Sequence, residues 1–255
     1  MVKKTMDKTS QKIPHPVSHL SRRYGYLAFA LAIVSFVSIQ RGIIVGNGWY
    51  IATVVSLWCT GAAVLLFLGY EENDSACFGK HEDGRLPPMS WIVFLPYLIP
   101  LWTRQLILTT LSRENSSDKL VDGVFIGRRP TQPRDIPAGT AVCADLAAEF
   151  PASRAELKYG GQYVSFPILE ASFRSCEALI ACIDSLPENG LYIHCAQGHG
   201  RTGFFSCALL LRRGTVKTLP EAEALVTRVR PGVKLRKAQR EFLLAHEAKL
   251  IAGER

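Results

Sequence analysis

Two uncharged apolar runs, residues 24–40 and 49–70, limit what this 255-residue chain can fold into more than any other feature. They read YGYLAFALAIVSFVSIQ and WYIATVVSLWCTGAAVLLFLGY. A helix needs about 20 apolar residues to cross about 30 Å of hydrocarbon, and each run is close to that length. Helices that are apolar on every side are rarely buried in small soluble domains. The sequence therefore predicts two transmembrane helices, 24–40 and 49–70, and an integral membrane protein.

The charges that flank these runs predict how the chain is oriented. Residues 1–23 contain six Lys and Arg and one acid, whereas the loop 41–48 contains one basic residue. Basic segments stay on the cytoplasmic side of a membrane, so the basic N-terminus is predicted to be cytoplasmic. Two crossings return the chain to that side. A signal peptide also places a basic segment before an apolar run, but no small-residue cleavage pattern follows the first run.

A third apolar segment, residues 89–111, admits two interpretations. Its first part, MSWIVFLPYLIPLW, is only 14 residues long, contains Pro96 and Pro100, and is followed closely by Arg104. We interpret residues 89–111 as an amphipathic helix in the membrane interface, with three aromatic side chains at headgroup level, Trp91, Tyr97 and Trp102. A spanning helix is the alternative, and it would place everything downstream on the opposite side of the membrane.

The rest of the chain is predicted to be a soluble domain. Residues 112–120 are polar and rich in turn formers, which indicates a linker into a domain of 135 residues, 121–255. Strands are predicted at 123–127, 140–146, 162–167 and 190–195, and helices at 173–186, 202–213, 220–229 and 237–250. The alternation predicts an α/β fold, with a central sheet flanked by helices, behind an N-terminal α-helical membrane region.

Composition excludes several classes of protein. The seven cysteines have no paired spacing and form no cluster with histidine, which argues against a disulfide scaffold and against a metal site. The net charge of +8 is not accompanied by a zinc finger, a helix-turn-helix or an arginine and aromatic ribbon, so no nucleic-acid partner is expected. The basic residues of the soluble domain are expected on solvated faces, among them Arg128, Arg129, Arg228, Arg230, Lys234, Arg236, Lys237 and Arg240.

The most informative segment of the soluble domain is HCAQGHGRTG, residues 194–203. It places Cys195 at the end of a predicted strand and Arg201, six positions later, at the start of a predicted helix. A bare Cys-x5-Arg pattern means little, because chance supplies about half a match in this composition, and Cys207 to Arg213 is a second one. Only the first match contains glycines that permit the unusual backbone angles of a tight loop, Gly198, Gly200 and Gly203.

This segment predicts an anion site built around a reactive cysteine. Unpaired N–H groups and the positive end of the helix dipole converge at a helix N-terminus, where they bind anions and stabilise a thiolate. We therefore expect the pKa of Cys195 to lie below the ordinary value of about 8.5. The planar guanidinium of Arg201 matches two phosphate oxygens. The phosphate loop would consist of Ala196, Gln197, Gly198, His199, Gly200 and Arg201. These parts indicate phosphoryl transfer through a phosphocysteine, with no metal or cofactor.

At these residues the chain resembles the dual-specificity branch of the cysteine-based protein tyrosine phosphatase superfamily, whose signature is His-Cys-x5-Arg-Ser/Thr. The resemblance extends over residues 121–242 and includes DGVFIGRRP, ADLAAEF and RPGVKLRKAQ, which are similar to bacterial, phosphatidylglycerophosphatase-like members. It implies a phosphatase fold in which Cys195 is the nucleophile, Arg201 binds phosphate and the Thr202 hydroxyl assists departure of the thiolate. His194 would orient the loop and help to set the pKa of the thiol.

The resemblance also implies a general acid. In the family an aspartate fills this role from a loop that follows a strand ahead of the signature, and the matching stretch here, FPILE, places Glu170 at that position. Glutamate keeps the carboxyl group on a side chain that is one methylene longer. Asp145 and Asp184 are expected to be structural or surface acids, and His199 is expected to shape the mouth of the pocket.

The predicted function is that of a membrane-anchored, cysteine-dependent phosphatase that hydrolyses phosphomonoesters of a phosphorylated lipid or a phosphorylated protein. Its catalytic domain is expected on the cytoplasmic side of a bacterial inner membrane. The alternative is a pseudophosphatase, a phosphate-binding interaction module with weak or no turnover. A rhodanese or an arsenate reductase fits less well, because arsenate reduction uses resolving cysteines close to the nucleophile.

Overall fold

The computed structural model describes residues 18–45 and 49–251, so most of the predicted basic N-terminus, residues 1–23, lies outside the described residues. The helices are α1 (Ser18–Val45), α2 (Trp49–Glu71), α3 (Pro88–Leu111), α4 (Arg154–Lys158), α5 (Cys176–Ser185), α6 (Gly200–Arg212), α7 (Leu219–Val229) and α8 (Lys237–Ile251). The strands are β1 (Ser117–Val121), β2 (Val124–Arg128), β3 (Val142–Ala147), β4 (Gln162–Ile168) and β5 (Leu191–Cys195).

Three of the described helices are long and apolar enough to cross a membrane, over Leu20–Ile43, Trp49–Glu71 and Pro88–Leu111. The first two belong to α1 and α2, which pack against each other, and between them the hydroxyl oxygens of Ser35 and Thr60 lie 3.2 Å apart. The side chains that face outward from this pair are large, apolar and exposed. A surface of this kind is stable in hydrocarbon and unfavourable in water.

The third apolar segment forms one helix, α3, although Pro96 and Pro100 lie inside it. A proline has no N–H, so Pro96 leaves the carbonyl of Ile92 without its partner in the helix. The indole N–H of Trp58 on α2 donates to this carbonyl over 2.9 Å. The hydrogen bond satisfies the freed carbonyl and links α3 to α2.

The soluble domain contains a five-stranded sheet with the strand order β1-β2-β5-β3-β4. β1 is antiparallel to β2, and the other neighbours are parallel. Apolar side chains between the sheet and α5 to α8 form the main core, while Ile136 and Ala155 cover the opposite face. The predicted class, an α/β fold with a central sheet flanked by helices, is confirmed.

Two predicted boundaries in the soluble domain are wrong. Residues 117–120 of the predicted linker 112–120 belong to β1, an edge strand whose polar composition is that of a loop. The helix predicted at 173–186 begins at Cys176, because the Ser175 hydroxyl accepts the Ala178 N–H and caps it. Both errors concern segments whose ends are set by tertiary or capping contacts.

We keep the name membrane region for residues 18–111, after the prediction from sequence, and the name α2–α3 connector for residues 72–87 within it. This region is packed directly against the soluble domain. One apolar cluster combines α2, the α2–α3 connector and α3 with residues that follow β3 and β4. Its buried members are Leu66, Tyr70, Phe78, Leu86, Phe94, Leu98, Ala148 and Leu169. The segments after β3 and β4, which flank the predicted phosphate loop, are therefore covered by the membrane region.

Candidate active site

The predicted phosphate loop joins the middle of the sheet to α6. β5 lies between β2 and β3 and ends at Cys195, and α6 begins at Gly200. In open α/β sheets, ligands bind at this carboxyl edge of the strands. The loop is one wall of a cavity of about 250 Å³. Other walls come from distant parts of the chain and include Arg104, Gln105, Glu149, Glu170, Lys234 and Arg236.

The surroundings of the Cys195 thiol favour its thiolate form. Burial alone would raise the pKa of this thiol. The charge of Arg201, together with hydrogen bonds from the Thr202 hydroxyl and from the backbone N–H groups of Thr202 and Gly198, outweighs burial and lowers the pKa of Cys195. The Thr202 hydroxyl has no oxygen or nitrogen partner in the described part of the chain, which leaves it available to the sulfur.

Other cysteines of the soluble domain have the opposite shift. Burial raises the pKa of Cys143 and Cys176, and it raises the pKa of Cys182 to about 11. Burial also raises the pKa of Cys207, which starts the second Cys-x5-Arg match and lies inside α6. The pKa of Cys195 is therefore shifted in the opposite direction to those of these four thiols. For the two Cys-x5-Arg matches, this agrees with the prediction that only the match with glycines in its loop holds a reactive cysteine.

Donors outside the loop hold its carbonyl groups. The side-chain amide of Gln105 on α3 donates to the carbonyl of Ala196 over 2.6 Å. The guanidinium of Arg230 donates to the carbonyls of Gln197 and Gly198 over 3.1 and 2.9 Å. The C=O and N–H of one trans peptide group point in opposite directions. Carbonyls that are held from outside therefore leave the following N–H groups free to bind an anion.

The loop glycines serve different purposes. Gly198 has a φ of +75°, and a Cβ there would lie 2.3 Å from the carbonyl oxygen of Gly127. Gly203 is helical, and a Cβ there would lie 2.4 Å from Cγ1 of Val233. Gly200 has open space around it and no left-handed φ. The prediction that glycine supplies an unusual backbone angle is thus confirmed for Gly198 and wrong for Gly200 and Gly203.

Arg201 is buried, and its orientation is set by Glu149, an acid that our sequence analysis did not single out. Its two terminal nitrogens each donate to one oxygen of Glu149 over 2.6 Å, and one also donates to the Ile168 carbonyl over 3.0 Å. Burial would lower the pKa of Arg201, but Glu149 raises it well above its ordinary value, so the guanidinium stays charged. A bidentate pair of this kind fixes the plane of the guanidinium.

Glu170 lies in the turn after β4, on the same cavity as Cys195 and Arg201. Its side chain is exposed, and the next residue, Ala171, has a φ of +60°. This conformation is unfavourable for a residue other than glycine and needs support from its surroundings. The fold thus brings the predicted acid to the mouth of the predicted phosphate site.

Two side chains from other elements support this turn. The Asn73 amide, just beyond α2, donates to the Phe173 carbonyl over 2.9 Å, and its side-chain oxygen accepts the Ser172 hydroxyl. The Gln239 amide of α8 donates to the Ser172 carbonyl over 2.9 Å. The turn that presents Glu170 is therefore tied both to the membrane region and to the C-terminal helix.

His194 lies one residue before the nucleophile and is buried in a network of charged groups. Its Nε2 lies 2.8 Å from Glu156, and its Nδ1 lies 3.9 Å from Asp145. Burial would lower the pKa of His194, but Glu156 and other neighbours raise it well above its ordinary value. Its Nδ1 also lies 3.4 Å from the Cys195 carbonyl, so its contact with the loop is through the backbone.

Cys143, Glu156 and His194 are the described residues that could together hold a metal ion, since one ligand atom of each lies within 4.8 Å of the others. The sequence spacing did not predict this cluster. All three residues are buried, and a negative carboxylate beside a positive imidazolium accounts for the arrangement through charge pairing.

The predicted surroundings of Arg230 are wrong, whereas His199 lies on the cavity, as predicted. Arg230, expected on a solvated face, is only 1% exposed and pairs with Asp118 at 2.6 Å and Glu114 at 3.2 Å. His199, expected at the mouth of the pocket, lines the cavity and pairs with Glu114 at 2.7 Å. The expectation for Arg230 is wrong because its carbonyl partners in the loop are more than 30 residues away in sequence.

Several solved structures are similar to about half of this chain. Tk-PTP in the active form is 26% identical over 52% of this chain and 97% of that chain, with a TM-score of 0.47. PTPMT1 in complex with PI(5)P is 15% identical over 54% and 97%, with a TM-score of 0.47. A human tyrosine phosphatase-like serine/threonine/tyrosine-interacting protein is 14% identical over 55% and 100%, again with 0.47. No protein-family model and no curated protein matches the chain. With TM-scores below 0.5, the function has to be argued from the site.

Proposed function

We propose that this chain is a membrane-anchored phosphatase that hydrolyses phosphomonoesters through a phosphocysteine. The observation that carries the proposal is the position of the Cys195 thiol, which lies between the end of β5 and the start of α6 on the same cavity as Arg201. There the charge of Arg201 and the loop donors lower the pKa of Cys195 despite burial. A buried cysteine with this shift, on a cavity lined by cations, is suited to attack an anionic electrophile.

The proposed reaction has two steps. In the first, the Cys195 sulfur attacks phosphorus, an S–P bond forms, the P–O bond breaks, and the carboxyl group of Glu170 gives its proton to the departing oxygen. In the second, the Glu170 carboxylate takes a proton from a water molecule that attacks the phosphocysteine. The S–P bond then breaks, and the Thr202 hydroxyl stabilises the departing thiolate. Inorganic phosphate and the starting thiolate result.

Arg201 and the backbone N–H groups of residues 196–201 would bind the three non-bridging oxygens. Charge on these oxygens is stabilised best by donors that are already oriented before the reaction. Glu149 holds the guanidinium of Arg201, while Gln105 and Arg230 hold loop carbonyls. Apart from the attacking water, side chains and backbone groups of this chain supply the groups that the two steps use.

The proposed substrates are phosphorylated lipids or phosphorylated proteins near a membrane. Arg104, Lys234 and Arg236 line the cavity, and none of them forms an ion pair within the described residues. Their positive charge attracts anionic substrates, and Arg104 lies on α3, an apolar helix. The proposed location is the bacterial inner membrane, with the catalytic domain on the cytoplasmic side.

We also propose that α1 and α2 cross the membrane and that α3 lies along its cytoplasmic interface. Asn73, between α2 and α3, bonds to the backbone of Phe173, and Gln105, near the end of α3, bonds to that of Ala196. A spanning α3 would place its two ends on opposite sides of about 30 Å of hydrocarbon. Contacts from both ends to one soluble domain favour the interfacial placement.

The first experiment is phosphate release by the full-length chain in detergent or nanodiscs, with para-nitrophenyl phosphate as a generic substrate. We expect hydrolysis by the wild type and its loss in Cys195→Ser. The matched control is Cys182→Ser, which changes a half-buried thiol outside the cavity and should leave the rate unchanged. A radiolabelled substrate with an acid quench should leave labelled phosphate on Cys195. Phosphate binding without turnover in the wild type would indicate a pseudophosphatase instead.

A further inference from the structure

Four side chains of the membrane region make polar contacts with segments that form the candidate active site. The Lys80 ammonium donates to Asp145 and to the Ala147 carbonyl over 2.6 and 2.7 Å, and the Asn73 amide donates to the Phe173 carbonyl over 2.9 Å. On α3, the Trp102 indole donates to the Glu149 carbonyl over 3.4 Å, and Gln105 donates to the Ala196 carbonyl. These contacts reach the ends of β3, β4 and β5, where the candidate catalytic residues lie.

The contact of Gln105 is the one that ends on the phosphate loop itself. Its Nε2 lies 2.6 Å from the Ala196 oxygen and 3.2 Å from Oγ1 of Thr109, one turn further along α3. The backbone N–H of Arg129 also donates to the Ala196 oxygen, over 3.2 Å. The carbonyl of Ala196 is therefore held from outside by two donors, of which only Gln105 belongs to the membrane region.

We propose that Gln105 is a positioning residue of the active site, so that the membrane region completes the phosphate loop of the soluble domain. By holding the Ala196 carbonyl, Gln105 fixes the plane of the peptide group between Ala196 and Gln197. The N–H of Gln197 belongs to the same planar group and points the opposite way, towards the anion. Gln105 acts through the loop backbone. The inference rests on the proposed phosphatase function and assigns a part of that site to α3.

The location of Gln105 supports a functional role over simple packing. It lies on an apolar helix, its side chain is half-buried at the cavity wall, and three apolar residues follow it in sequence, as in QLIL. An apolar side chain would pack equally well between α3 and the soluble domain, whose contact already includes Leu101 and Trp102 against Ala196. An amide is needed at this position only to satisfy the loop carbonyl and its neighbour Thr109.

The test compares full-length wild type with Gln105→Met, which keeps the length of the side chain and removes its donor. The control is Thr110→Val on the same helix, whose hydroxyl bonds only to the Leu106 carbonyl within α3. We expect kcat/KM for para-nitrophenyl phosphate to fall about tenfold in Gln105→Met, the size of one lost hydrogen bond, and to stay unchanged in Thr110→Val. Gln105→Leu repeats the test with a branched apolar side chain.

A second measurement follows the ionisation of Cys195 and does not depend on catalysis. Alkylation of Cys195 by iodoacetamide, followed by mass spectrometry across a pH series, reports the pH at which the thiolate forms. When the Ala196–Gln197 peptide group is free to rotate, the next N–H of the loop, that of Gly198, is held less firmly on the Cys195 sulfur. The midpoint should therefore move to higher pH in Gln105→Met and Gln105→Leu and stay in place in Thr110→Val.

The two measurements separate this inference from the proposed function. Unchanged kcat/KM and an unchanged midpoint in both Gln105 variants would overturn the role of Gln105, even if their thermal stability falls. A wild type that does not release phosphate would overturn the proposed function. In that case, the alkylation midpoints would still decide whether Gln105 positions the loop.

Discussion

In the proposed reaction, phosphate binding depends on the pair that Glu149 forms with Arg201. Both side chains are about 6% exposed, and two donor-acceptor distances of 2.6 Å join them. Little of this contact is exposed to solvent, so the guanidinium has few alternative partners and a narrow range of orientations. A change at Glu149 should therefore alter the orientation of Arg201.

The first prediction concerns this pair. In Glu149→Gln an amide N–H₂ replaces one acceptor, so one of the two bonds to Arg201 is lost and the guanidinium can tilt. We expect kcat/KM for para-nitrophenyl phosphate to fall about a hundredfold, as is typical when a binding group is misplaced by about 1 Å. Glu188→Gln, an exposed acid outside the cavity, is the control and should behave as wild type. Equal rates in the two variants would contradict the role of Glu149.

The second prediction concerns pH. In the proposed reaction the thiolate of Cys195 is the attacking form, so kcat/KM should rise as pH rises through the pKa of Cys195, which Arg201 and the loop donors hold below its ordinary value despite burial. Endpoint assays across a pH series measure this rise. Glu170→Gln has no proton to give to the leaving oxygen, so its kcat should fall while the rise with pH stays in place. An unchanged kcat would rule out Glu170 as the acid.

The α2–α3 connector places one buried positive charge, that of Lys80, against the soluble domain. Lys80 and Asp145 have side chains that are 0% exposed and are joined over 2.6 Å. Asp145 also accepts the Tyr163 hydroxyl over 2.9 Å and the backbone N–H of Ala147 over 2.8 Å. The connector thus supplies the positive partner of an acid that lies at the end of β3.

The third prediction concerns this buried pair. Lys80→Met leaves Asp145 as a buried charge without its cationic partner, which should reduce the free energy of unfolding by about 3 to 5 kcal/mol. Lys80→Met combined with Asp145→Asn removes both charges and should recover most of the loss. Urea unfolding in detergent, followed by circular dichroism, measures these changes. Equal losses of unfolding free energy in the single and the double variant would show that the unpaired charge of Asp145 is not the cause of the loss.

The same pair should make stability depend on pH in acid. Burial would raise the pKa of Asp145, but Lys80 and other neighbours lower it to about 2, below the unfolded value of about 3.9. The resulting stability is fully present above the unfolded value and is lost as pH falls towards the folded one. Wild type should therefore lose stability between about pH 4 and pH 2 more steeply than Lys80→Met with Asp145→Asn.

The molecule as a whole is organised around one contact between a helical membrane region and a sheet domain. Three parts of the membrane region lie near the soluble domain. Tyr70, at the end of α2, packs in one cluster with Ala148 and Leu169 of that domain, and Tyr24, near the beginning of α1, packs against Tyr70. Trp102, in the second half of α3, donates to the Glu149 carbonyl. An antiparallel pair of helices with both free ends at the domain is compatible with two crossings of a bilayer.

The fourth prediction concerns this topology. In the proposed topology α1 and α2 cross the membrane and α3 does not. A reporter fused after residue 47 should therefore lie on the periplasmic side, and reporters fused after residue 80 and at residue 255 should lie in the cytoplasm. Paired reporters that are active on only one side of the membrane serve as controls for each other. Opposite locations for the fusions at residues 80 and 255 would mean that α3 spans the membrane.

The local chemistry of the site was predictable from sequence. The seven residues from Cys195 to Arg201 join the end of a strand to the start of a helix, and hydrophobic periodicity is sufficient to place both elements. The apolar runs of α1 and α2 were predictable for a related reason, since crossing a membrane imposes a length and a composition on consecutive residues. The role of Glu170 rests on a family resemblance, and its place on the cavity is compatible with that role.

The groups that hold these residues in place became visible only in the folded chain. Glu149 meets Arg201 across 52 positions, Lys80 meets Asp145 across 65, and Gln105 meets Ala196 across 91. No local pattern of charge or hydrophobicity links such partners, because they come together through the order of strands in the sheet and the packing of α3 on its carboxyl edge. The chemistry therefore lies in one short segment, whereas the orientation that the chemistry requires comes from long-range contacts.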